Sequence, residues 1–186
     1  MKKFFPLILT FFLLFSSWAF AQDEKTLLEK ALSLVEEGSI EGAQAILEEA
    51  RFILWNKAPL KIANCLFVEE EPYSFGVYKE RPSNFFAPDE TIYVYAEPQN
   101  YTIKEESGNY HIYFLLDFNL YDKDGNLLGG QESFGNMRYI TKKPVYETFL
   151  DLKFNFDLGP GDYVLEVIVR DQLGNKSGSF RLPFKK

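Results

Sequence analysis

The stretch that runs from Leu158 through Pro160, Gly161, Tyr163 and Asp171 to Phe184 constrains the fold more than any other part of this chain. Pro160 and Gly161 make a corner, because proline fixes φ and glycine tolerates the conformations a turn demands. After the corner, Tyr163, Leu165, Val167 and Val169 alternate with Val164, Glu166, Ile168 and Arg170. A period of two is that of a strand with one face committed to a core. Residues 171–176 supply Asp, Gly and Asn for a tight turn, and residues 177–184 return as a closing strand. Such a unit commits the chain to antiparallel strands.

The same period extends upstream and predicts strands at 62–70, 91–97, 110–121, 126–132 and 146–156, seven in all. In the third, Tyr110, Ile112, Phe114, Leu116, Phe118 and Leu120 share the inward face. In the fifth, Tyr146, Thr148, Leu150, Leu152, Phe154 and Phe156 alternate with polar residues. Tyr163, placed just past the Leu-Gly-Pro-Gly corner, resembles the tyrosine corner of immunoglobulin-like and fibronectin type III sandwiches. That resemblance implies that its hydroxyl bonds backbone upstream, near residues 157–160, with Pro160 and Gly161 holding the corner. Seven strands is also the fibronectin type III count. The expected fold is mainly β: a seven-stranded Ig/FnIII-like β-sandwich over residues 59–186, behind an N-terminal two-helix hairpin over 22–58.

The hairpin follows from a different period. Leu27, Leu28, Ala31, Leu32, Leu34 and Val35 form a helical stripe within 26–37, and Gly38 ends it. Ser39 is placed to cap a second helix, whose stripe is Ala43, Ile46, Leu47, Ala50, Ile53 and Leu54. Gly38-Ser-Ile-Glu-Gly-Ala43 followed by Ala50 resembles the turn and second helix of a tetratricopeptide repeat, which implies close approach of the two helices. A single repeat cannot bury its own face. Ala43, Leu47, Ala50 or Leu54 are therefore expected to meet the sandwich, a partner or another copy. The short link to the first strand places the hairpin beside the 98–109 connection and the 171–176 turn.

At the N-terminus, Lys2 and Lys3 precede an apolar run over 4–15, and Ala19-Phe20-Ala21 ends the segment. This pattern predicts a signal peptide over residues 1–21, cleaved after Ala21, and a periplasmic or extracellular protein. No second apolar run reaches the ~20 residues a membrane span needs, so no transmembrane segment is expected after cleavage. Losing Lys2 and Lys3 takes the formal charge from -7 to -9. Lys and Arg are scattered, which argues against nucleic acid and anionic membrane surfaces, since phosphates are bound by clustered cations. Cys65 is the single cysteine, so no intramolecular disulfide can form. Its alternation with Ala63 and Phe67 suggests a buried, inert thiol.

Signals for chemistry are sparse. The one histidine, His111, falls on the outward face of the third strand with no partner nearby in sequence. No His/Cys metal spacing, Gly-x-Ser-x-Gly elbow or phosphate-cradling loop occurs, so neither cofactor nor metal is expected. Asp122-x-Asp124-x-Asn126 opens like a calcium loop, but Leu127 and Ser133 stand where glycine and a closing Glu belong. A hairpin turn is the better reading. The segment 73–86 is too aromatic for a solvated loop and too long for a plain connection. Tyr93 and Tyr95 share a face opposite Ile92, Val94 and Ala96. Either the segment folds over that pair, or Tyr73, Tyr78, Arg81, Tyr93 and Tyr95 form an exposed binding strip. The functional expectation is a non-enzymatic periplasmic or secreted protein-interaction or envelope-assembly module, with a protein partner in the cell envelope that Leu47 helps bind. The alternative is a carbohydrate-binding module that stacks a glycan on exposed tyrosines.

Overall fold

The computed structural model describes residues 23–186, so the expected signal peptide lies outside the described residues. Helix α1 spans Glu24–Glu36. Its N-cap is Asp23, whose carboxylate accepts the Thr26 N–H at 2.8 Å. Gly38, at φ 78°, terminates it as the stripe predicts. Helix α2 spans Ile40–Lys57. Ser39 holds the N-cap position but its side chain makes no capping bond, which corrects that expectation. Pro59 ends α2 by forcing Ala58 into extended backbone at ψ 150°. Leu27 and Ala31 of α1 pack against Ile46 and Ala50 of α2, the small residues allowing close approach.

Eight strands follow, all paired antiparallel: β1 (Lys61–Val68), β2 (Ile92–Gln99), β3 (Lys104–Glu106), β4 (Asn109–Asp122), β5 (Leu127–Thr141), β6 (Leu150–Phe154), β7 (Asp162–Asp171) and β8 (Lys176–Lys185). One sheet has the order β1-β2-β6. In the other, β4 is central. Phe114 pairs with Met137 of β5 and Asp171 of β7, so those strands occupy opposite edges of β4, and β8 pairs with β7. His111 likewise pairs with both Lys104 and Ile140, which puts the short β3 on the β7 side. The inner faces of the two sheets share one core: Ile92, Val94, Leu150 and Leu152 meet Ile112, Phe114, Leu165 and Val167, all at most 4 % exposed. The inward set expected for the third strand is largely as expected, with Ile112, Phe114, Leu116 and Leu120 buried.

Three strands differ from their sequence reading. β3 is additional. β5 runs nine residues past Glu132, because Ser133, at φ 51°, is a bulge and not a stop. β6 is shorter than 146–156, because Tyr146 leaves the strand to pack against Trp55 at 5.1 Å, under the Arg51 guanidinium. The corner bond is made: the Tyr163 hydroxyl donates to the Gly159 carbonyl at 2.9 Å.

The hairpin docks where the topology places it, through different side chains. Trp55 packs edge-on against Tyr101 at 5.2 Å, and Phe52 against Tyr110 at 6.0 Å. The Asn56 side-chain carbonyl accepts the Ile103 N–H at 2.8 Å. Lys176, the first residue of β8, donates to the carbonyls of Asn56, Ala58 and Asn100 at 2.7–2.9 Å, which suits a cation at a helix C-terminus. Burial draws the Lys176 ammonium below its ordinary pKa, and Asp171 opposes that. Ala50 is spent against α1, whereas Leu47 and Leu54 remain 45 % and 44 % exposed. Docking on the two-sheet body, one of the alternatives expected for this face, is made by Phe52, Trp55 and Asn56 instead.

Candidate binding surfaces

The tyrosine strip is covered. On the outer face of the β1-β2-β6 sheet, Tyr95 is fully buried: Tyr78 lies over it at 4.2 Å and Phe149 stacks on it at 5.6 Å. Its hydroxyl accepts the Gly76 N–H at 2.8 Å and donates to the Glu97 carboxylate at 2.7 Å. Asn64, in a bulge of β1 at φ 47°, donates to the other Glu97 oxygen at 2.7 Å. Burial, partly offset by the Gly76 bond, and the neighbouring carboxylate push the Tyr95 phenol up to about 12. The 73–86 segment therefore folds over the strip, and Tyr95 is removed as a stacking platform. Tyr93 and Tyr78 are half-buried, with Lys153 over the Tyr93 ring at 5.6 Å. Tyr73 alone of the four stands free, at 90 % exposure, with Phe75 and Val77 beside it at the tip of the segment.

Arg81 is an internal pin. Its guanidinium donates to the Ser83 and Phe85 carbonyls at 2.9 and 2.8 Å, pairs with Glu90 at 2.7 Å and lies over the Phe86 ring at 4.2 Å. Those contacts hold the guanidinium against its own segment and leave its side chain 18 % exposed. Cys65 sits in the β1 bulge and is half-buried; the bulge breaks the alternation read from sequence, and beyond it Phe67, opposite Val94, faces the core while Val68, opposite Tyr93, is buried on the outer face. Burial and Glu97 push its thiol up to about 12, which leaves it poorly nucleophilic.

The outer face of the larger sheet carries two closed ion-pair networks. Asp117 accepts from Arg170 and from the Ser133 N–H, both at 2.6 Å, and so holds the β5 bulge. Glu166 accepts from Asn119, Tyr121 and Arg181 at 2.9–3.0 Å. Burial raises the Glu166 pKa, but those three donors outweigh it and hold the carboxyl below its ordinary range. A carboxylate so saturated has little capacity left for general-base work. In the turn after β4, the Asp122 carboxylate accepts the N–H groups of Asp124 and Asn126 and the Asn126 side-chain amide at 2.8–2.9 Å, so the turn itself occupies these oxygens. His111 is half-buried between β3 and β5. No cluster of three or more metal-ligating side chains occurs among the described residues, and no helix among them is long and apolar enough to cross a membrane.

Sheet edges distinguish themselves more than any pocket. The end of β1 is covered by the aromatic segment, with the Arg81 N–H donating to the Phe67 carbonyl and the Glu69 N–H to the Lys79 carbonyl. The end of β8 is covered by residues 84–86, which exchange two backbone bonds of 2.9 Å with Lys185. β6 is five residues long. β5 is fifteen residues long and pairs only with β4 among the described residues. Beyond its bulge, Gly135 to Thr141 run in unbroken register against Leu116 to Tyr110, with Tyr139 39 % and Ile140 57 % exposed. The sequence reading ended this strand at Glu132 and so missed the edge beyond the Ser133 bulge. The signal was the period-two run from Asn136 to Thr141. An open apolar groove of about 440 Å³ also lies at the hairpin junction, between Phe52 and Ile53 of α2 and residues 102–105.

Comparison with family models finds no match, and no curated protein matches the sequence. Among solved structures, the chain is similar to the crystal structure of Bacteroides uniformis beta-glucuronidase, at 13 % identity and a TM-score of 0.33. That alignment covers 68 % of this chain and 13 % of the other. A score this low carries no argument about fold or activity.

Proposed function

We propose that this chain is a non-enzymatic, secreted or periplasmic protein-interaction module of the immunoglobulin-like, fibronectin type III-like kind, which takes an extended apolar segment of an envelope partner onto the β5 edge. The family reading is supported by the orders β1-β2-β6 and β5-β4-β7-β8, by the short β6 and by the Tyr163 corner bond. Export is supported by the charge, apolar run and Ala19-Phe20-Ala21 of the first residues.

The observation that carries the binding reading is the contrast between edges. An open, regular edge presents unpaired backbone groups that another strand can satisfy, and proteins that do not use such an edge generally blunt it. Here the ends of β1 and β8 are capped by chain bonded to residues 67–69 and to Lys185, while residues 135–141 stay open beside exposed Tyr139 and Ile140. Seven residues span roughly 23 Å, enough for an incoming strand of ordinary length. A glycan-binding reading has less support, because only Tyr73 of the four tyrosines is freely exposed and one ring is a poor platform.

Affinity isolation from the native envelope tests the proposal. Wild type and Phe75→Ser should recover the same protein, and Ile140→Lys should lose it while melting normally. Recovery unaffected by Ile140→Lys, or retention on polysaccharide that Tyr73→Ala abolishes, would contradict it.

A further inference from the structure

The hairpin has two sides, and only one is used. Helix α2 meets the two-sheet body through Phe52 and Trp55 in its last turns. On a helix that advances about 100° per residue, Leu28, Leu32 and Val35 lie to one side of Ala31, which faces α2, within roughly 100° of it. Leu47 and Leu54 lie to the same rotational side of Ala50, which faces α1. Because the two helices are antiparallel, both rotations lead to one face of the pair. The ion pair between Glu24 and Lys57 aligns the start of α1 with the end of α2, which sets Leu28 level with Leu54 and Val35 level with Leu47. Ile40 continues the face at the turn. All six aliphatic side chains are 43–61 % exposed.

We infer that two copies of this chain associate through this face, hairpin against hairpin, into a four-helix layer with a twofold axis. The inference is independent of the β5 edge. Two antiparallel helices that each contribute a row of aliphatic side chains form a surface able to meet its own copy in an isologous contact. Six half-exposed aliphatic chains offer on the order of 400 Å² per copy, and their polar rim raises this toward the ~800 Å² per partner of a stable interface. The rim carries both signs, Lys25 and Arg51 beside Glu29, Glu36 and Glu48. A twofold contact therefore does not oppose one sign against itself. The rest of the molecule is acidic, with a formal charge of -7 for the whole chain. Added salt should thus strengthen association, by screening repulsion between copies while leaving the aliphatic contact intact.

Sedimentation of the chain from residue 22 onward, which carries every described element, decides the matter. The expected result is a concentration-dependent dimer, favoured by salt, with amide protection in α1 that rises with protein concentration. Leu32→Glu and Leu47→Glu should each yield a monomer with unchanged circular dichroism, and Ile140→Lys should leave the dimer intact. A monomer at 100-fold the concentration used for isolation would overturn the inference. So would a dimer that survives Leu32→Glu, or one abolished by Ile140→Lys, which would place the contact at the sheet edge.

Discussion

The Tyr163 hydroxyl was legible because everything that determines it is local: a proline-glycine corner, a strand starting two residues later, and a carbonyl four residues back. Its 2.9 Å bond to Gly159 is partly solvated and the ring rests on Phe184 at 5.5 Å. Tyr163→Phe keeps the ring contact and removes only the bond, so it should cost about 1 kcal/mol by chemical denaturation, with the fold retained. A cost below about half of that would mean that water serves the Gly159 carbonyl equally well. Tyr95 was not legible in the same way. Its alternation with Ile92 and Val94 places it outside the core correctly, yet its burial depends on Tyr78 and Gly76, nearly twenty residues earlier. Arg81 has the same origin: a cation in an aromatic loop reads as a binding group until Glu90 and two carbonyls are brought to it.

Among elements, strands with clean alternation were found within two residues of their ends, as β4, β7 and β8 illustrate. β5 was truncated at Glu132 because the bulge at Ser133 interrupts its alternation, and its glycines stand for two different things. At Gly130 the reason is close approach: a Cβ there would lie 2.6 Å from the Phe118 carbonyl oxygen and 2.6 Å from the Asn119 side-chain oxygen. At Gly129 a Cβ would meet nothing within 4 Å. Gly130→Ala should therefore destabilise the protein by about 1–3 kcal/mol, since backbone must move to admit it. Gly129→Ala should stay within roughly 0.5 kcal/mol of wild type. Equal effects in thermal melts would mean that β5 sits less tightly on β4 than this geometry requires. The helices show the complementary limit. A stripe of six apolar residues predicts a helix correctly, but it does not say which half faces the partner helix. Alanines at 31 and 50 took the inner positions, and the leucines at 28, 32, 47 and 54 were left outside.

For the whole molecule, the position of the hairpin followed from the few residues between α2 and β1, whereas its contacts did not. Docking is carried by Trp55, held among Tyr101 and Tyr146, and is locked by Lys176 across the end of α2. Trp55→Ala should destabilise the protein by about 3 kcal/mol, as loss of a large packed aromatic does. Leu47→Asp, measured at low protein concentration, should cost less than about 1 kcal/mol because the side chain meets solvent. The reverse ranking would place the docking face on the wrong side of α2.

The claim that the β5 edge receives a partner strand is tested most directly by photo-crosslinking in the producing cell, with a photoreactive residue placed in turn at positions 136, 140, 73 and 75. Strand addition predicts one common protein adduct at Asn136 and Ile140, absent at Tyr73 and Phe75. Adducts confined to Tyr73 and Phe75, with none at Asn136 or Ile140, would contradict it.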